Sequence, residues 1–132
     1  MIVYLDTSAA VKLLVDEPES QALTTYLQEA VVDADGEVAA AWLLHTELHC
    51  AAGRHPESIA VGAVGQLLDA VTLVDVTRGD LLTAGSLPGG LRSHDAIHLA
   101  VALRIGADAM VGYDVELQQA ADAAGLTAIS PR

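Results

Sequence analysis

Three observations predict an α/β fold in which a mainly parallel central sheet is covered by helices on both faces. Short aliphatic runs alternate with longer stretches of helical spacing along all 132 residues. The short runs are apolar throughout instead of alternating with polar residues, as strands buried on both faces are. Glycine, proline and acidic turns fall between the two kinds of segment. The length is close to the commonest single-domain size and no linker interrupts it, so residues 1–132 are expected to form one domain.

Residues 2–5, "IVYL", open the chain as a buried strand. Asp6-Thr7-Ser8 follow, and "AAVKLLV" then has helical spacing. "DEPES" is a break with helix-start chemistry at Glu19 or Ser20, and residues 20–31 read as the second helix. "DADG" at 33–36 is a turn, "EVAAA" a second strand, and a helix follows to about Ala52, ended by Gly53 and Pro56. Residues 57–70 read as helical, and "VTLVDV" at 71–76 as the third strand. A short helix at 79–86 precedes the loop "LPGG", and residues 94–105 form a nearly all-apolar helix stopped at Gly106. "AMVGY" at 109–113 is the fourth strand, "VELQQAADAAG" a helix with a glycine stop, and "TAI" the last strand.

Composition narrows the chemistry. Hydrophobic residues make up 52% of the chain, enough for a sizeable core, and no apolar run reaches the length of a membrane span. "MIVYLDTSAA" has no basic n-region and is expected to be a strand, not a leader. Cys50 is the only cysteine, which excludes an internal disulfide and a thiolate metal cluster and fits a reducing cytoplasm. It is expected to be a small buried hydrophobe. The net charge of −12 argues against a general electrostatic grip on nucleic acid and favours cations or a basic partner. The mean hydropathy of +0.41 predicts that another chain covers some apolar surface.

Four acids stand out. In open α/β sheets chemistry collects beyond the carboxyl ends of the strands, and Asp6 and Asp114 close two of them. Aspartate is also a favoured N-cap, so each has a structural explanation. Asp95 lies in the first turn of the apolar helix, where the helix dipole favours an acid and Ser93 is the candidate N-cap. At about 100° per residue, however, it points with Leu99, Ala102 and Leu103, on the side expected to be buried. Glu47 shares a face with Leu43, Leu44, Cys50 and Ala51, and an ion pair with Arg54 is the structural alternative. Acids in semi-buried positions repel one another unless a cation intervenes. Hard oxygen donors without sulfur suit Mg²⁺ or Mn²⁺, which can activate water and stabilise the leaving oxygen of a phosphodiester.

The order "YLDTSA", "TELHCAA", "LRSHDAIHLAVAL" and "VGYDVELQQAA" resembles the PIN-domain ribonucleases, most closely the VapC toxins of bacterial toxin–antitoxin pairs. The resemblance spans essentially the whole chain. It implies a three-layer α/β/α sandwich and a metal-dependent endoribonuclease leaving a 5′-phosphate and a 3′-hydroxyl. By carry-over Asp6, Glu47, Asp95 and Asp114 are the metal-binding and catalytic acids, holding Mg²⁺ or Mn²⁺, and Thr7 and Ser8 supply supporting hydroxyls. The family often has Thr or Ser where Gly112 stands, so a supporting hydroxyl is expected to be missing here, with Glu116 the candidate to contribute instead. The implied partners are an RNA substrate, a cognate VapB-like antitoxin with a basic C-terminal segment, and a second copy in a homodimer, with no membrane. An antitoxin arginine could sit against the acids in the metal's place. "AAVKLLV" is a candidate contact for antitoxin or homodimer, with core packing as its structural alternative.

Other readings fit less well. His45 and His49, and His94 and His98, are each four apart and could ligate zinc, but "HTELH" displaces the glutamate from H-E-x-x-H. His98 could instead orient Asp95. No G-x-S-x-G elbow, no phosphate-binding G-x-x-x-x-G-K-[ST] loop and no glycine-rich dinucleotide turn is present. The alternative from a different class is a catalytically inactive PIN-like module that binds a protein partner.

Overall fold

The computed structural model describes all 132 residues, Met1–Arg132. The chain runs β1 (Ile2–Leu5), α1 (Thr7–Leu14), α2 (Ser20–Leu27), β2 (Glu37–Ala41), α3 (Leu43–Arg54), α4 (Val61–Asp69), β3 (Thr72–Val74), α5 (Arg78–Ser86), α6 (Ser93–Arg104), β4 (Ala109–Val111), α7 (Val115–Ala123) and β5 (Thr127–Ile129). The five strands form one sheet in the order β3-β2-β1-β4-β5, and every pairing is parallel.

The burial pattern explains the apolar runs. Val3, Tyr4 and Leu5 of the central strand are sealed, as are Ala39–Ala41 of β2 and Ala109–Val111 of β4, while the edge strands β3 and β5 are only partly buried. From β1 the chain moves one way along the sheet, through α1 and α2 to β2 and through α3 and α4 to β3. The α5–α6 connection brings it back to the other side of β1. Right-handed crossovers put the helices of the two directions on opposite faces. The packing agrees: α1 touches α2 and α3, and α3 touches α4, whereas α6 packs on α5 and α7. β1 and β4 therefore flank the point where the strand order reverses, the usual place for a site in an open α/β sheet.

Several boundaries differ from the sequence reading. The second helix is α-helical only to Leu27 and then widens into a π-helical turn over Gln28–Val32, with Asp33 N donating to Gln28 O at 2.8 Å. Close approach explains the exit: a Cβ on Gly36 would lie 3.0 Å from both Ala30 O and Met1 O. Gly53 does not stop α3, which runs through it to Arg54 before His55-Pro56 ends it. Residues 57–60 are a turn pinned by buried Ile59, so α4 begins only at Val61. The third strand is Thr72–Val74 and the fourth Ala109–Val111, shorter than 71–76 and 109–113; past the fourth, the Tyr113 N–H bonds the Ser8 hydroxyl instead of a strand. Arg92, not Ser93, occupies the N-cap of α6, and its side chain makes no cap hydrogen bond. Cys50 is exposed, contrary to expectation. The buried stripe of α3 runs through Leu44, Leu48, Ala51 and Ala52, which leaves Cys50 on the outer face.

One polar latch fixes α6 against α5. Asp80, 2% exposed, accepts from Arg104 Nε at 2.7 Å and from Arg104 Nη2 at 3.0 Å, and Nη2 also donates to Asp75 O. The same carboxylate accepts the Thr77 N–H, while the Thr77 hydroxyl accepts the Asp80 N–H, a capping box at the start of α5. The latch ties the last residue of α6 to the first turn of α5.

Candidate active site at the sheet switch point

Each acid enters from the C-terminal end of the sheet. Asp6 ends β1 and caps α1, Asp114 follows β4 and caps α7, and Asp95 and Glu47 lie in the early turns of α6 and α3. In both aspartates the N-cap bond engages only one of the two oxygens. Asp6 Oδ2 accepts the Ser8 N–H at 3.2 Å and the Ser8 hydroxyl at 2.7 Å. Asp6 Oδ1 is buried and has no partner. Asp114 Oδ1 accepts the Leu117 N–H at 2.9 Å, and its Oδ2 accepts from Arg92 Nη2 at 3.0 Å.

Asp95 is 5% exposed, so the helix wheel placed it correctly. Its Oδ2 accepts from Arg92 Nε at 3.3 Å and its Oδ1 lies 3.3 Å from His94 Nε2. Burial pushes its carboxyl above the usual range; His94 and Arg92 oppose the rise, and the Asp6 and Asp114 carboxylates add to it. Asp6, Asp95 and Asp114 thus share one electrostatic environment, and Arg92 bridges the last two.

Glu47 stands beside this group, against the residue next to Asp6. Its Oε1 accepts from the Thr7 hydroxyl at 3.0 Å and lies 2.5 Å from His98 Nε2. Burial alone would raise its carboxyl, but the hydrogen bonds from His98 and Thr7 outweigh that and hold it below the ordinary value. The alternative Glu47–Arg54 ion pair does not form. His98 does not orient Asp95 either; it serves Glu47, and His94 is the histidine beside Asp95.

Gly112 explains its own departure from Thr or Ser. A Cβ there would lie 3.0 Å from Asp6 Cβ, 3.2 Å from Asp6 Oδ2 and 3.3 Å from Ser8 Oγ. The space beside Asp6 is filled by the Ser8 hydroxyl, which donates to Asp6 and accepts the Tyr113 N–H at 2.8 Å. Glu116 is exposed one turn into α7. Gly112→Ala is expected to keep the fold, shift Asp6 by a few tenths of an ångström and slow RNA cleavage about tenfold, as read by initial rates beside circular dichroism.

The donor set fits a hard cation in one respect and is held back in another. A buried carboxylate oxygen without a hydrogen bond is costly unless a cation meets it, and Asp6 Oδ1 is such an oxygen. Yet no group of three or more His, Cys, Asp or Glu side chains is gathered closely enough to hold an ion as placed. Glu47 is drawn to His98 and Thr7, and Asp95 and Asp114 are drawn to Arg92. The His45 and His49 rings lie 4.6 Å apart at a tilt of 52°, with Trp42 5.5 Å from His45. Replacing both histidines with alanine is expected to leave cleavage within about twofold of wild type; a large loss in the same rate assay would restore them as ligands.

The PIN-domain family model matches residues 3–123. The chain belongs to the PIN-domain family. Within the family its curated relatives include Ribonuclease VapC46 of Mycobacterium tuberculosis, strain ATCC 25618 / H37Rv, 38% identical over 140 residues, covering 98% of this chain and 97% of the relative. Ribonuclease VapC47 of Mycobacterium tuberculosis, strain CDC 1551 / Oshkosh, is 35% identical over 134 residues at the same coverage. The fold is shared with solved PIN-domain structures at lower identity. Mycobacterium tuberculosis VapC20, described as a Sarcin-Ricin loop cleaving toxin, superposes with a TM-score of 0.73 at 16% identity, covering 98% of this chain and 99% of that one. VapBC2 from Rickettsia felis, solved bound to a DNA fragment from its promoter, gives 0.72 at 15% identity over 100% of both chains.

Two residues of this PIN-domain site lay outside the sequence reading. Arg92 had only its place ahead of α6 to mark it. Tyr4 sits inside an apolar strand run, and nothing in the linear pattern shows that its hydroxyl reaches His98, 94 residues away.

Proposed function

We propose that this PIN domain is a divalent-metal-dependent endoribonuclease, the toxin of a VapBC-type pair, acting as a single unit over residues 1–132. The observation that carries the reading is the buried, unpartnered Asp6 oxygen beside two further carboxylates. The ribonuclease names of its relatives support it. Asp6, Glu47, Asp95 and Asp114 would hold Mg²⁺ or Mn²⁺, and the hydroxyls of Thr7 and Ser8 would keep Glu47 and Asp6 in place. The ion, when bound, supplies an activated water and charge stabilisation for the leaving oxygen. Arg92 then has a second task. Displaced from Asp95 and Asp114, its guanidinium is free to meet the RNA phosphate, for which its planar fork is suited.

The partners follow from charge. A net charge of −12 and an acidic pocket suit a basic antitoxin segment, whose arginine would meet the same carboxylates that Arg92 meets here. Exposed Leu81 and Leu82 on α5 and Val61 on α4 are apolar surface available to a homodimer. No helix is long and apolar enough to cross a membrane. A cytoplasmic location is proposed from the single cysteine, which suits a reducing compartment.

The test is to map cleavage ends on total RNA incubated with purified protein, with and without Mn²⁺. Discrete new ends bearing 5′-phosphate and 3′-hydroxyl, present only with metal, are expected. Intact RNA, with no rise in melting temperature on adding Mg²⁺ or Mn²⁺, would identify an inert binding module instead.

A further inference from the structure

His98 is completely buried, and the metal chemistry makes no direct use of it. It sits one turn beyond Asp95 on α6, and each of its ring nitrogens has a close polar neighbour. Nδ1 lies 2.6 Å from the Tyr4 hydroxyl. Nε2 lies 2.5 Å from Glu47 Oε1 and 3.2 Å from the Thr7 hydroxyl.

The proton positions follow from counting donors and acceptors. The Tyr4 oxygen already accepts the Ala41 N–H at 3.0 Å, from the end of β2. The phenol O–H is then left to donate. Its one acceptor in reach is His98 Nδ1. With Nδ1 accepting from the Tyr4 hydroxyl, the ring N–H lies on Nε2, where it donates to Glu47 Oε1. The Thr7 hydroxyl donates to that same oxygen. Both bonds therefore fall on Oε1, and Oε2 receives none.

We propose that Tyr4 and His98 are positioning residues. The line from the Ala41 N–H through the Tyr4 hydroxyl and the His98 ring holds one oxygen of Glu47 and presents the other to the cation. This rests on the metal-centre reading above. It assigns the sheet an active part in the site. β1 and β2 fix the Tyr4 hydroxyl, the hydroxyl fixes the tautomer, and the tautomer fixes the carboxylate. Outer partners of this kind typically change metal affinity by about 10- to 100-fold when removed.

The experiment uses the full chain and two readouts. Long-range ¹H–¹⁵N correlation on the chelator-treated protein reads the His98 tautomer, and calorimetry with Mn²⁺ reads affinity. In wild type we expect Nδ1 without a proton and Nε2 with one. Tyr4→Phe is expected to lose the single tautomer and to weaken Mn²⁺ about tenfold. His98→Leu should weaken it by about 10- to 100-fold, and His98→Gln, whose amide can donate to Oε1, should recover most of that. Melting temperatures separate this from packing: Leu and Gln variants of equal stability but unequal Mn²⁺ affinity support the proposal. A proton on Nδ1 in wild type, or a Leu variant that binds Mn²⁺ as wild type does, or a Gln variant no better than Leu, overturns it. Failure of wild type itself to bind Mn²⁺ overturns the metal centre, a result distinct from the others.

Discussion

Asp6→Asn is expected to reduce RNA cleavage by on the order of 10³-fold while raising the melting temperature of the metal-free protein. The fold should survive, because asparagine caps a helix about as well as aspartate and its carbonyl oxygen can still accept from Ser8. What disappears is charge. The wild-type carboxylate is 2% exposed, has one oxygen without a partner and adds to the pressure on Asp95. A neutral amide removes that repulsion, and with it the strongest candidate donor for a cation. Activity and stability should therefore move in opposite directions, as at sites where stability has been given up for function. The check is a cleavage rate beside a thermal melt in chelator, and retained cleavage by pure protein would exclude Asp6 from the metal's donor set.

Arg104→Met is expected to lower the melting temperature by about 5–10 °C at neutral pH. Methionine keeps much of the aliphatic stem but leaves the Asp80 carboxylate buried with only the Thr77 N–H. The pH dependence should change sign. In wild type the Arg104 hydrogen bonds hold the Asp80 carboxyl below its ordinary value despite burial. The latch is then fully present above the unfolded carboxyl's range and is lost as pH falls through the lower, folded value. Without the guanidinium, burial raises the same carboxyl, so the folded state binds the proton more tightly than the unfolded state. The variant should recover stability between about pH 7 and pH 5, where wild type does not. Melts at both pH values check this.

Much of the fold was legible. Parallel strands buried on both faces must be apolar along their whole length, and helices on a sheet must show a period near 3.6, so both left a pattern in the chain. The elements that blurred are those decided by neighbours. Gly53 stays helical because it does not adopt the left-handed backbone of a C-cap, and α3 ends only at His55-Pro56. After the widened turn at Gln28–Val32 the chain passes Met1 and Ala30 so closely that only glycine fits at position 36. Cys50 faces outward because α1 and α4 meet α3 along the Leu44, Leu48 and Ala51 stripe, a rotation that the wheel alone does not fix.

The site divides in the same way. The sequence by itself determined that Asp6 and Asp114 follow strands of a parallel sheet, that Asp95 lies on the buried side of its helix, and that a single cysteine allows no disulfide or thiolate cluster within the chain. These are properties of local period and composition, which need no partner to be read. Only the tertiary structure decided which oxygen of each acid is occupied. Arg92 joins Asp95 to Asp114 across 19 residues of chain, and His98 reaches Glu47 across 51 and Tyr4 across 94. A hydrogen bond is a matter of a few tenths of an ångström and one direction. That precision comes from how the sheet and its two helical layers pack, and no spacing along the chain encodes it.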